Sequence, residues 1–143
     1  MSKKISSVDF RALAELRFQI RLFLKEGDAV ARSAGLEPQQ YLMLLVIRGL
    51  PQETPAKIQT LADQLALKHH SAVELVDRLE QRGLVKRSRS KEDRRQVLVS
   101  LLPRGQKLLE RVVHQRITEL RASGRQLVKA IEGLLHEKGK AKK

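Results

Sequence analysis

Between residues 58 and 101 the spacing of apolar residues changes period once, and few folds accept that change in so short a span. Ile58, Leu61, Ala62, Leu65 and Ala66 fall at helical intervals, and Leu67 and Lys68 interrupt them. From about His69 the interval resumes through Ala72, Val73, Val76 and Leu79. Gly83 then offers the left-handed stop that commonly ends a helix. Past it, Leu84 and Val85 lead into a polar, basic run over 86–96, after which Val97, Leu98, Val99, Ser100 and Leu101 read as a strand. Two helices joined by a brief turn and followed by a hairpin with a charged tip are a helix-turn-helix with a wing.

The flanks are helical. From Val8, the residues Leu13, Leu16, Ile20, Phe23 and Leu24 recur at helical spacing with Arg11, Arg17, Arg21 and Lys25 between them. Gly27 and Gly35 punctuate the next stretch, and Pro38 suits the first turn of a second helix that carries the YLMLLVI run of 41–47 to Gly49. Residues 50–55 read as a turn, and Pro103 and Gly105 reset the chain after the wing. Val113, Ile117, Leu120, Gly124, Leu127, Ile131 and Leu134 then follow alternating steps of four and three, a heptad-like seam. Gly124 beside Ser123 predicts two helices rather than one rod. Symmetric pairing with a second copy is the favoured use of this seam, with Leu13, Leu16 and Ile20 of the first helix joining it. The chain thus divides into 1–35, 36–102, 103–137 and a basic tail over 138–143 that is too polar to fold.

Charge narrows the partner. The 143 residues suffice for one compact domain, and 29 Lys and Arg against 16 Asp and Glu leave a net charge of +13. Nucleic acid and an anionic membrane both suit that excess. Residues 41–47 form the longest apolar run, far below the roughly 20 residues a membrane span needs. The first ten residues, MSKKISSVDF, lack the apolar core of a secretory signal, so a cytoplasmic location is expected. Without cysteine, disulfides, thiolate metal sites and thiol redox sensing are excluded. No glycine-rich phosphate loop, HExxH or clustered Ser, His and Asp points to an enzyme, and no cofactor is implied. His69 and His70, adjacent on a helix, point about 100° apart and are poorly placed to share a metal. Glu110 and His114 would be half a metal site with no second half, so a surface pair is favoured. Tyr41 and Phe18 read as core aromatics rather than the lining of a ligand pocket.

The stretch LADQLALKHHSAVELVDRLEQRGLVKRSRSKEDRRQVLVSLLPRG, residues 61–105, resembles the DNA-binding core of the MarR family. Its most specific pieces are LVDRLEQRGLV at 75–85 and EDRRQVLVSLLPRG at 92–105, and the flanking helices are similar to that family's dimerisation helices. The resemblance implies a mainly α fold with a small β wing, a winged helix-turn-helix core between N- and C-terminal dimerisation helices, and a homodimer on double-stranded DNA. It places the recognition helix in the major groove and the wing over the minor groove. Lys68, His69, His70 and Ser71 then lie where base edges are met, while Arg78 and Arg82 face phosphate unless Asp77 and Glu80 pair with them. The wing set is Arg87, Arg89, Asp93, Arg94 and Arg95. Asp93, Arg94 and Arg95 match the family's Asp, any residue, Arg motif, which makes Arg95 the minor-groove arginine. Asp93 would hold an arginine, since a carboxylate beside phosphate is repelled.

Three positions depart from the family pattern. Glu74 stands where a basic residue is frequent and would accept from cytosine N4, Lys68 replaces a small N-cap, and Leu102 replaces a frequent threonine before Pro103. The resemblance further implies a repressor relieved by a small ligand, often aromatic or phenolic, held in the crevice between core and dimer helices. The charge excess alone would equally suit a nucleoid-type architectural protein with little sequence preference.

Overall fold

Ser6 opens the first helix: its Oγ accepts from the Asp9 backbone N–H at 3.3 Å, while the Asp9 carboxylate accepts from the Ser6 backbone N–H at 2.9 Å. The computed structural model describes residues 4–135, and the basic tail lies outside them. Their elements are α1 (Ser7–Ser33), α2 (Pro38–Gly49), α3 (Ile58–Gln64), α4 (His69–Gln81), β1 (Val85–Arg89), β2 (Val97–Leu101), α5 (Pro103–Ser123) and α6 (Arg125–Leu135). The fold is mainly α with a hairpin wing, as the change of period requires. No described helix is long and apolar enough to cross a membrane.

Chain length suggested one compact domain, but the contacts define two units. One is Val30–Val113. It is wider than 36–102 because Val30 and Ala31 at the end of α1, and Leu109 and Val112 in α5, are buried in the same core as Met43, Leu44, Leu61, Val76, Leu79, Leu84 and Val99. Pro38 starts α2 as expected, and Gln40 closes a capping box by accepting from the Glu37 backbone N–H at 3.1 Å. Between α3 and α4 the chain turns through Ala66, whose φ of 53° is left-handed. β1 and β2 pair antiparallel with Val85 opposite Leu101 and Arg89 opposite Val97. The Val99 N–H also donates to the Ala56 carbonyl at 3.0 Å, which ties the wing's root to the chain before α3. Gly105 does more than reset the chain, since a Cβ there would stand 2.1 Å from the Leu84 carbonyl oxygen. Only a bare α-carbon lets the first turn of α5 lie against the root of β1.

Among the described residues the second unit comprises 4–29 and 114–135. The break expected at Gly124 is present, with α5 ending at Ser123 and α6 beginning at Arg125. Gly27 does not break α1, contrary to its reading as punctuation; it is buried, and a Cβ on it would come 3.2 Å from the guanidinium of Arg116. Arg116, only 7% exposed, donates to the Phe23 carbonyl at 2.7 Å and to Glu119 Oε1 at 2.9 Å, and its guanidinium lies 4.2 Å from the Phe23 ring centre. A glycine at helical spacing thus marks a close approach rather than an end.

Apolar residues of this unit stay largely uncovered. Leu13 is 53% exposed, and Ile20, Ile117, Leu120 and Ile131 are exposed as well, whereas Leu16, Leu127 and Leu134 are half-buried. Val113 is half-buried against the core of Val30–Val113. Tyr41 is buried, but Phe18 is 56% exposed and is not a core residue, because the helix carrying it has no second layer over that face among the described residues.

Candidate nucleic-acid interface

The buried face of α4 is Ala72, Leu75, Val76 and Leu79, which leaves its first turn outward. Lys68 is the N-cap, with φ −69° and ψ 151°, and makes no side-chain cap, since an ammonium can only donate where the helix end needs an acceptor. His69 and His70 are exposed and Ser71 is half-buried. His69 Nδ1 lies 2.9 Å from Gln59 Oε1 on α3. The first turn of α4 therefore presents Lys68, His69 and His70 together. Glu74 is exposed one turn further on.

Further along, the cations separate. Arg78 is exposed, open to a phosphate. Arg82 is half-buried and donates from Nη1 to Gln40 Oε1 at 2.8 Å, so its head is turned toward the N-terminus of α2. The carboxylates of Asp77 and Glu80, their expected surface partners, go elsewhere. Arg87 takes both: Nη2 donates to Asp77 Oδ1 at 2.5 Å and Nη1 to Glu80 Oε1, and Nη2 also reaches the Val73 carbonyl at 3.4 Å. With its guanidinium enclosed by two carboxylates, Arg87 fixes β1 to the outer side of α4.

The tip is ordered by its own polar groups. Ser90 Oγ accepts from the backbone N–H groups of Glu92 at 3.2 Å and Asp93 at 3.4 Å. The Ser90 N–H donates to the Gln96 carbonyl at 3.0 Å, and Arg89 Nη1 donates to the Arg94 carbonyl at 2.8 Å. Asp93 Oδ1 accepts from the Arg95 backbone N–H at 3.0 Å and from Arg95 Nε at 3.3 Å. Arg95 keeps a side chain 92% exposed, held at Nε with its two terminal nitrogens unpaired among the described residues. Arg89, Ser90, Lys91 and Arg94 line a shallow cationic hollow beside it. An extended guanidinium steadied at its inner nitrogen is suited to a narrow groove of negative potential.

Composition could not reveal three sets of partners that shape this surface. Gln40 is buried on α2 and far in sequence from Arg82; its place at the third position of a proline-started helix was the only local signal. Gln59 and Asp63, four apart on α3, were legible as a surface pair, but not their approach to His69. The Asp77 and Glu80 fork was legible only as neighbours of Arg78 and Arg82. Among the described residues no three His, Asp or Glu side chains gather to hold a metal, and Glu110 accepts from Gln106 at 2.9 Å rather than pairing with His114.

Comparison with known proteins places this geometry. The MarR family model matches residues 34–96. Over 74 residues the chain is 38% identical to the "Organic hydroperoxide resistance transcriptional regulator" of Bacillus subtilis; the match covers 52% of this chain and 48% of that protein. The chain thus spans about half the length of that curated relative. A MarR family protein from Bacillus stearothermophilus superposes with a TM-score of 0.68 at 25% identity, over 82% of this chain and 80% of the other. CouR from Rhodococcus jostii RHA1, solved bound to p-coumaroyl-CoA, shares the fold with a TM-score of 0.65 at 24% identity, over 76% of this chain and 74% of its own. The family is one of transcription regulators and not of enzymes. The order of helix, turn, recognition helix and wing and these likenesses agree: over residues 34–96 the chain matches the MarR family model, and its fold is similar to that of solved MarR family proteins.

Proposed function

We propose that the chain is a sequence-specific, DNA-binding transcriptional regulator that works as a homodimer in the cytoplasm. The observation that carries this reading is the contrast at the wing: Arg87 is consumed by two carboxylates, while Arg95 is held at one nitrogen and left open at its tip. A generic cationic surface has no use for that division. A reading head does, because one arginine fixes the wing and the other enters the groove. Lys68, His69, His70 and Ser71 would meet base edges in the major groove, and Arg78, Arg89 and Arg94 phosphate. Two such heads related by a two-fold axis fit a palindrome with half-sites about 10 bp apart.

Occupying a promoter in this way represses it, and a small aromatic or phenolic ligand relieves repression by favouring one spacing of the heads over the other. The fold of CouR accommodates p-coumaroyl-CoA, a phenolic ligand, which supports this part of the reading. These residues include no cysteine, so the signal is binding rather than thiol oxidation.

The experiment is a competition binding assay with the purified protein, setting DNA upstream of its own gene against random DNA at fixed salt. The proposal expects at least about a thousandfold preference. Equal affinity for both would favour the architectural reading.

A further inference from the structure

Gln59, Asp63 and His69 form a chain of hydrogen bonds whose direction is set at one end. Gln59 Nε2 donates to Asp63 Oδ1 at 2.8 Å. An ionised carboxylate can only accept, so the amide's NH2 faces Asp63 and its carbonyl oxygen faces the other way. That oxygen, Gln59 Oε1, lies 2.9 Å from His69 Nδ1. An amide oxygen has no proton to give, so Nδ1 carries it. In the neutral ring the other nitrogen, Nε2, is then a bare acceptor. His69 is the first residue of α4 and is exposed, at the point of a helix-turn-helix from which a side chain meets base edges.

We propose that His69 is a specificity-determining residue that reads an amino base, adenine through N6 or cytosine through N4, and that Gln59 and Asp63 are positioning residues that fix its tautomer. In the major groove adenine and cytosine offer amino donors, whereas the corresponding edges of guanine and thymine carry oxygen acceptors. An acceptor nitrogen facing O6 or O4 leaves both groups unpaired and desolvated, which is how a groove contact rejects the wrong base. Each half-site therefore holds adenine or cytosine at one position. The inference rests on α4 being the base-reading helix of the proposed regulator.

Nitrogen-15 spectra of the histidine rings in the full chain, without DNA and at neutral pH, test the tautomer directly. His69 is expected to show a protonated Nδ1 and a bare Nε2, and Gln59→Leu to move the proton toward Nε2. A native His69 protonated at Nε2 overturns the proposal. Base preference is then read by selecting binding sites from random duplexes. The wild-type protein is expected to favour adenine or cytosine over guanine or thymine about tenfold at the contacted position. His69→Ala should erase that preference there and nowhere else, and His69→Lys, a pure donor, should turn it toward guanine or thymine. Selected sites unchanged by His69→Ala overturn the role of His69 while the regulator stands. Loss of all sequence preference, in the wild type as in the variants, overturns the regulator reading itself.

Discussion

Arg95 and Gly105 show how differently single residues act in this chain. Arg95 touches its own protein only through Asp93 among the described hydrogen bonds, so its removal should spare the fold and be felt only on DNA. Arg95→Ala is expected to weaken operator binding by about tenfold or more with the dimer intact, as an arginine lost from a narrow minor groove should. Titration of labelled operator beside sedimentation of the free protein checks both halves, and unchanged affinity would remove the assigned role. Gly105→Ala is the reverse case: the added carbon would meet backbone, the Leu84 carbonyl, which cannot rotate away. A loss of about 2 kcal/mol or more is expected in urea unfolding, and a loss below about 0.5 kcal/mol would show that α5 can shift at no cost. Asp93 and Arg95 were legible because their partnership is local, two residues apart. Gly27 and Gln40 were not, because each acts on a residue far along the chain, Arg116 for the glycine and Arg82 for the glutamine. Pattern reading carries no term for such contacts.

At the scale of elements, the wing works through its attachment as well as its tip. By sequence Arg87 groups with the cations that meet DNA, yet Asp77 and Glu80 occupy its guanidinium and bind β1 to α4. Removing a strut and removing a phosphate contact both weaken binding, but only the second releases fewer counterions. Arg94→Ala should therefore reduce the slope of log affinity against log salt by about 1, whereas Arg87→Ala should lower affinity at every salt concentration with the slope unchanged. A slope reduced equally in both variants would return Arg87 to the DNA-contact group. Helix and strand identities followed from periodicity, since α2, α3, α4 and both strands each bury one face in a shared core. The length of α1 did not: a glycine read as punctuation is retained inside the helix because Arg116 needs the space its side chain would fill.

The whole molecule poses the question of what covers the helices outside Val30–Val113. Leu13, Ile20, Ile117, Leu120 and Ile131 remain exposed on α1, α5 and α6, in a chain whose charge of +13 would otherwise keep it apart from copies of itself. Burying such side chains gains about 25 cal/mol per Å², and a second copy offers a complementary set by symmetry. If that is their use, ending the chain at Leu120 removes α6 and its share of the seam, Leu127, Ile131 and Leu134. At micromolar concentration the shortened protein is expected to sediment as a monomer and the full chain as a dimer. The unit Val30–Val113 should survive the deletion, because its buried residues lie wholly within it, and circular dichroism of the shortened chain checks that it does. Leu13→Glu combined with Ile131→Glu tests the same face without deleting anything: each change places a carboxylate where an apolar partner is expected, and the pair should dissociate the dimer with little loss of helix content. Affinity for a full palindrome would then fall toward that for a half-site, since one head no longer brings the other to its target. A shortened chain and a double variant that both remained tight dimers would place the interface elsewhere on the molecule.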